Sequence, residues 1–555
     1  MKSNPGRYWS VVCFALAAVV LVPIFSVTWS LAQDSEGVWE HLAETVLGKY
    51  ISNTLLLAVG VGCGTLLVGV LTAWLVTAFT FPGVGFFRWA LLLPLAIPSY
   101  LMAYAMTDLL QFSGPVQTWL RETTGWSRSD YWFPQVRSLG GAVFILVLCL
   151  YPYVYLAAAT GFLSLSASVI EASRTLGASS WSRFWRVVLP LARPSIFAGV
   201  ALVVMETMAE FGAVDYCAVD TFSTGIYRTW MGRGSFVAAA QLSTCLLGAV
   251  GLLYLLESRL RKSAKFHHAT QRTQPPAPAR LEGARAWAAF AACAAPVLGG
   301  FLLPVVRFLQ LTVEGGDSRT GELFIGLAGN SALVAGVTAL AAVMCGLLLT
   351  QLRRRAPTSS NRFAVRVAGL GYAIPGGVIA IGVLAPVWWL ESGVNEVAED
   401  VFGWSPGLFL SGTIFAVLFG YQARFLAIPL NVIGAGFERI RSTVDDAART
   451  LGASRLRLLF GVHMPLLKGS LFCAGLMVFV DVLKELPATL ILRPFNFDTL
   501  AVRVYQLASD ERLSEASTGA LAIILAGLVP VVLLTRILSS AHAVSAVRGR
   551  DQGSL

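Results

Sequence analysis

Residues Glu171–Ser195 read EASRTLGASSWSRFWRVVLPLARPS and residues Asp446–Ser470 read DAARTLGASRLRLLFGVHMPLLKGS; the six residues RTLGAS occur in both, 275 positions apart. The surrounding chain is oily. Of 555 residues, 56% are apolar and only 13% charged, with a mean hydropathy of +0.69, against about 25% charge in an ordinary globular domain. Apolar runs that could each cross a bilayer, which takes about 20 residues, begin near residues 10, 52, 86, 139, 196 and 238, then near 286, 329, 365, 407, 469 and 516. Composition thus predicts an all-α membrane protein with about 12 transmembrane helices, and excludes a soluble domain on a single anchor.

Beyond the phrase, the same shift of 275 aligns Pro190 with Pro465, Glu206 with Asp481, Glu210 with Glu485, Thr224 with Thr499 and Arg228 with Arg503. A shift of 277 aligns Asn53 with Asn330 and the AIP at Ala96 with the AIP at Ala373. Six crossings per half make these parallel repeats, related by an axis along the membrane normal, and such repeats place a pathway between them. The expected division is a first repeat over 1–257, a basic linker over 258–285 and a second repeat over 286–555. The first run follows Lys2 and Arg7 but is long and has no evident small-residue cleavage site, so it reads as a retained helix.

The net charge of +10 is concentrated in ESRLRKSAKFHHATQRTQPPAPARLEGAR and QLRRRAPTSSNRFAVR, which the positive-inside rule puts in the cytoplasm. The segments AQDSEGVWEHLAET, TVEGGDSRTGE and ESGVNEVAED are acidic and suit the opposite side. Both termini are then expected inside, along with both copies of the phrase. A nucleic-acid partner would need a soluble basic reader, which the sequence lacks. Eight scattered cysteines without CxxC spacing suggest neither a zinc site nor a disulfide framework.

Each copy of the phrase predicts a short helix, a break at Gly177 or Gly452, a second amphipathic stretch, and a proline opening the next span. Trp181, Phe184 and Trp185 beside Arg183 and Arg186 suit a docking contact or an interfacial helix; the duplication favours docking onto two equivalent partners. The spacing resembles that of the permease subunits of ATP-binding-cassette importers: EAA, three residues, Gly, nine residues, then I-x-L-P. Here it runs from Glu171, Ala172 and Ser173 through Gly177 to Val187, Val188, Leu189 and Pro190, and from Asp446 and Ala447 through Gly452 to Val462, His463, Met464 and Pro465. Ser173, Asp446, Met464 and both valines depart from the pattern.

That resemblance implies a fused pair of permease domains of the type I importer fold in a bacterial inner membrane. Glu171, Ala172, Gly177, Pro190, Asp446, Ala447, Gly452 and Pro465 would then belong to two coupling helices gripping two cytoplasmic ATPase subunits. No GxxxxGK[ST] loop occurs in the chain. The expected chain is therefore a non-catalytic subunit that binds no cofactor, while ATP and Mg serve the partner ATPase; a periplasmic substrate-binding protein and membrane lipid complete its expected partners.

For the cargo, Glu206 and Glu210, and Asp481 and Glu485, are spaced to share one helical face. A charge at bilayer depth costs about 2.5 to 3.5 kcal/mol, so these acids should face protein or water. They either neutralise groups such as Lys484, Arg493 or Arg228, or serve as pathway carboxylates for a cation. No metal ligand is assigned, since His463 has no second ligand at suitable spacing. The stretches AEFGAVDYCAVDTFSTGIYRTW from Ala209 and VLKELPATLILRPFNFDTLAVRVYQLAS from Val482 look like those of ferric-iron importer permeases, which implies iron(III) delivered by the binding protein. Thiamine, polyamine and sulfate permeases share the scaffold. A secondary transporter would also show repeats and buried acids, but has no use for two matching loops. The segments around Asp215 and Phe497 and the acidic ESGVNEVAED are expected to face the binding protein.

Overall fold

The computed structural model describes residues 5–165, 167–177, 179–264, 278–316, 321–355 and 358–551. Ala178 of the first phrase, residues 265–277 of the expected linker, 317–320 of an acidic loop and 356–357 of a basic loop lie outside them. Among the described residues, 10 helices are long and apolar enough to cross a membrane, and two bent pairs raise the number to 12. These spans coincide with the twelve apolar runs of the sequence. The sharper bend, 95°, joins Val84–Ala96 to Ser99–Thr124. Its cause is local: Ile97, ahead of Pro98, is extended at φ −99° and ψ 117°, as the proline ring requires of its predecessor.

Contacts divide the described chain into two compact units. One comprises 45–224, 248–318 and 507–555. Its centre is the Leu47–Ala78 helix packed against Leu139–Leu163 and Leu189–Ala209. Gly69 makes this packing possible, since a Cβ there would lie 2.8 Å from the Val154 Cβ and 2.9 Å from the Tyr155 nitrogen; small residues at helix contacts let backbones approach in this way. The Ala284–Gly315 span, the first of the second repeat, also belongs here: Arg307 pairs with Asp108 at 2.5 Å, and Thr312 and Ser517 share a hydrogen bond of 2.7 Å. The exit of the basic linker is pinned where Ala279–Arg280 pairs in parallel with Phe79–Thr80.

The other unit comprises 1–44, 225–247 and 319–506. Glu322–Arg355 packs on Met464–Leu483 and Ala427–Glu438, and Gly346, the repeat partner of Gly69, meets Pro429 in the same manner. The first helix of the chain, Pro5–Trp29, packs here against Gly376–Phe402 and Ser359–Ala368. Thr244 and Gln241 secure its end by donating to the carbonyls of Val27 (2.8 Å) and Gln33 (3.1 Å). In each unit, therefore, the central helices come from one repeat and the opening helix from the other.

Candidate functional site: two repeated loops and the carboxylates beyond them

Both phrases fold alike. Ala167–Thr175 and Ser442–Thr450 are short helices, ended by Gly177 at φ 77° and Gly452 at φ 78°. Glycine enters that left-handed region without the penalty a Cβ brings, and open space surrounds both positions. A second short helix follows, Ser180–Arg183 or Arg455–Leu458, then a π turn, Phe184–Val188 or Leu459–His463. The following span thus begins before Pro190 and Pro465 rather than at them: each proline sits in the first turn after the wide π turn, where its missing N–H costs little.

At the tip of each loop, Leu176 and Leu451 are both 86% exposed. Glu171, Ala172, Asp446 and Ala447 are exposed too. Ser173, where the pattern has alanine, is buried. A pair of equivalent, outward-pointing leucines beside small residues forms an apolar knob suited to a partner's cleft. Phe184 does otherwise than expected. It faces its own helices, 4.9 Å from the Trp74 ring, with Phe162 completing the cluster, because aromatic faces gain more from mutual packing than from water. Trp185 remains half-exposed.

The root of the second loop carries a polar network that the spacing did not announce. Asp445 accepts from the Nε and Nη2 of Arg354 at 2.8 and 3.2 Å, and its Oδ1 lies 2.9 Å from the Nε2 of His463. Arg354 also donates to the carbonyls of Phe437 (2.8 Å) and Ile440 (3.0 Å). Asp445 is 8% exposed and His463 1%. Burial pushes the Asp445 carboxyl up, but the hydrogen bonds and charges of Arg354 and His463 prevail and hold it below the usual carboxylate range. His463 is thus an anchor of the loop; a basic side chain in the preceding RRR run and an acid one residue before the phrase were its only signals in the sequence.

Beyond the loops, the acids do not share a helical face. The helices end at Ala209 and Leu483, so Glu210 and Glu485 lie past them, in non-helical turns. Each glutamate caps the short helix that follows: Glu210 accepts from the Ala213 N–H and Glu485 from the Ala488 N–H, both at 3.0 Å. Such a carboxylate satisfies free donors at a positive helix end. The second partners differ. Ser99 donates to Glu210 at 2.6 Å, whereas Arg424 donates to both oxygens of Glu485 at 3.1 and 3.2 Å. Gly376, which occupies the repeat position of Ser99, leaves the room that the Arg424 guanidinium fills.

Asp481 pairs with Lys484 at 2.8 Å, and Arg493 pairs with Asp498. Glu206 is half-buried. Among the described residues, no three His, Cys, Asp or Glu side chains converge on one metal ion. The aligned asparagines hold equivalent places: Asn53 donates to the Asp220 carbonyl at 2.9 Å and Asn330 to the Asp498 carbonyl at 3.1 Å. In the expected outer segments, Asp215 and Phe497 are half-buried while Phe495 is exposed.

The sequence profile of the family described as binding-protein-dependent transport system inner membrane component matches residues 65–262. An Fe(3+)-transport system permease protein of Haemophilus influenzae is 25% identical over 501 residues, covering 90% of this chain and 91% of that protein. A ferric transport system permease protein of Actinobacillus pleuropneumoniae is 22% identical over 89% of this chain and 73% of its own. A sulfate transport system permease protein of Escherichia coli is 30% identical over 36% of this chain and 70% of its own. The chain belongs to the family of binding-protein-dependent transport system inner membrane components, as an all-α, two-repeat membrane permease.

Proposed function

We propose that this chain is the permease of an ATP-driven importer of iron(III), lying in a bacterial inner membrane with both termini in the cytoplasm. The observation that carries the coupling part is the matched pair of loops: left-handed glycines within one degree of each other and exposed leucines equal in exposure. Two equivalent knobs call for two equivalent clefts, here the cytoplasmic ATPase subunits. Glu171, Ala172, Gly177 and Pro190, with Asp446, Ala447, Gly452 and Pro465, form the two contacts. ATP-driven closure of the ATPases moves the knobs, and the spans that follow the π turns carry that motion into alternating access.

Iron is favoured by relatives that match nearly the whole fused chain, whereas the sulfate permease matches about a third of it. A cationic cargo also suits a route beside Glu206, Glu210, Asp481 and Glu485, carboxylates being hard donors for hard ions. The arginine against Glu485 and the serine against Glu210 would make such a route a series of weak, exchangeable contacts rather than a resident site. Uptake of labelled ferric iron, sulfate, thiamine and putrescine by cells with and without this chain, alongside its ATPase and binding protein, tests the reading. Iron uptake dependent on the chain and on ATP supports it; uptake of another solute alone overturns the cargo and keeps the architecture.

A further inference from the structure

The outer segment between the third and fourth spans holds a built hollow that the transport reading leaves unused. Its volume is about 380 Å³, and Thr107, Phe112, Gln117, Arg128, Tyr131 and Arg137 line it. Hydrogen bonds fix the frame. The buried Gln117 donates to the Leu110 carbonyl at 2.8 Å and accepts from the Tyr131 hydroxyl at 2.7 Å, while Arg121 donates to that hydroxyl at 3.2 Å. At the floor, the buried Thr107 hydroxyl has no hydrogen-bond partner among the described residues.

The cations of the hollow are presented rather than neutralised. Arg128 lies 5.1 Å from the Phe112 ring centre and has no carboxylate within ion-pair distance among the described residues. Arg137 lies 4.9 Å from the Tyr216 ring centre and reaches a carboxylate, Glu511, only at 4.0 Å, where both partners are exposed. Asp130, the nearest acid in sequence, is consumed by its own turn, accepting from the backbone and hydroxyl of Ser127. Guanidinium groups stacked on aromatic faces keep their forked donors oriented for a carboxylate. Trp132, 84% exposed at the rim, adds the aromatic and arginine composition of a protein-binding hot spot. The corresponding segment of the second repeat, 389–414, carries four acids and no Lys or Arg. One of those acids, Glu391, is buried and accepts from Leu410 and Ser411, so this segment offers a partner's carboxylate no cation and the first repeat alone receives it.

We propose that this hollow receives a carboxylate side chain of the substrate-binding protein, and that Arg137 passes the engagement to the Glu210 turn. This rests on the importer reading above. The relay is short: Arg137 covers Tyr216, Tyr216 meets Tyr104 at 4.5 Å, and the helix Gly212–Tyr216 is the one Glu210 caps. Docking on one lobe would therefore bear directly on a residue of the cargo route.

The test uses the whole complex, this chain with its two ATPases in lipid nanodiscs, titrated with iron-loaded binding protein. Arg128→Ala with Arg137→Ala should raise Kd at least tenfold and flatten its salt dependence, while Arg128→Lys should recover part of the affinity. Tyr216→Leu, which removes the ring beneath Arg137, should raise Kd less than the double variant does and, with the binding protein at saturation, still lower its stimulation of ATP hydrolysis. Wild-type Kd and stimulation in the double variant, with unaltered unfolding temperature, overturn the proposal and leave the importer reading intact. Citrate binding that the double variant loses while binding-protein affinity stays unchanged also overturns it, making the occupant a small free anion. No binding to the wild-type complex at all removes both.

Discussion

The two repeated loops share a backbone and differ at the root. In the first repeat, Trp74, Phe162 and Phe184 form an aromatic cluster with ring centres 4.9 to 6.5 Å apart. In the second, those positions hold Gln351, Phe437 and Leu459, and the loop is fastened instead by Arg354, Asp445 and His463. The repeat counterparts of that trio are Thr77, Ile170 and Val188; Thr77 merely bonds back to its own helix at the Ala73 carbonyl. Apolar packing is non-directional and tolerates small slides. A two-pronged guanidinium–carboxylate contact fixes orientation. The same motion applied to both knobs should therefore pass rigidly through the second loop and more compliantly through the first.

The largest effect is expected at the glycines. Gly177→Asp together with Gly452→Asp should abolish ATP-dependent uptake while leaving the chain in the membrane, and of the single variants Gly452→Asp should be the more damaging because its loop cannot yield. Normal uptake by the double variant would refute the docking assignment. Next, Asp445→Ala strands the half-buried Arg354 and the buried His463, and removing one partner of a buried pair costs roughly 3 to 5 kcal/mol. The unfolding temperature should fall and ATP hydrolysed per ion imported should rise; a change in stability without a change in that ratio would leave the network merely structural.

Trp74→Ala, at the other root, should cost roughly 2 to 3 kcal/mol, less than a fully buried aromatic because this one is half-buried, and Trp74→Phe should restore most of it. A loss larger than that of Asp445→Ala would reverse the ranking of the two roots. Acid separates them more gently. Since the Asp445 carboxyl is held below its ordinary range, its contribution is complete above the unfolded value of about 3.9 and disappears as pH falls through the lower folded value. Hydrogen exchange over 442–450 should quicken there, with no matching change over 167–175. Smallest are Leu176→Ala and Leu451→Ala. Exposed as they are, neither should move the unfolding temperature, yet each should weaken ATPase binding about three- to tenfold and by a similar factor; unequal factors would show that the difference between the loops extends to their tips.

The sequence alone determined the membrane class, the twelve apolar runs and the two-fold repetition, because burial in lipid demands runs of fixed length and a repeat is visible as a register. It also located both glycine breaks, since only that residue enters a left-handed turn freely. It could not foresee that the helices stop before Glu210 and Glu485. Periodicity continues past a helix end whenever the next residues are apolar, and the partners that hold the two glutamates beyond it, Ser99 and Arg424, lie more than sixty residues away in sequence. Nor could a register reveal that the opening helix of each repeat packs with the central helices of the other. Self-alignment reports which segments are alike, whereas packing depends on which surfaces fit. The inequality of the two roots belongs with these: it arises from side chains on separate helices whose meeting only the tertiary fold brings about.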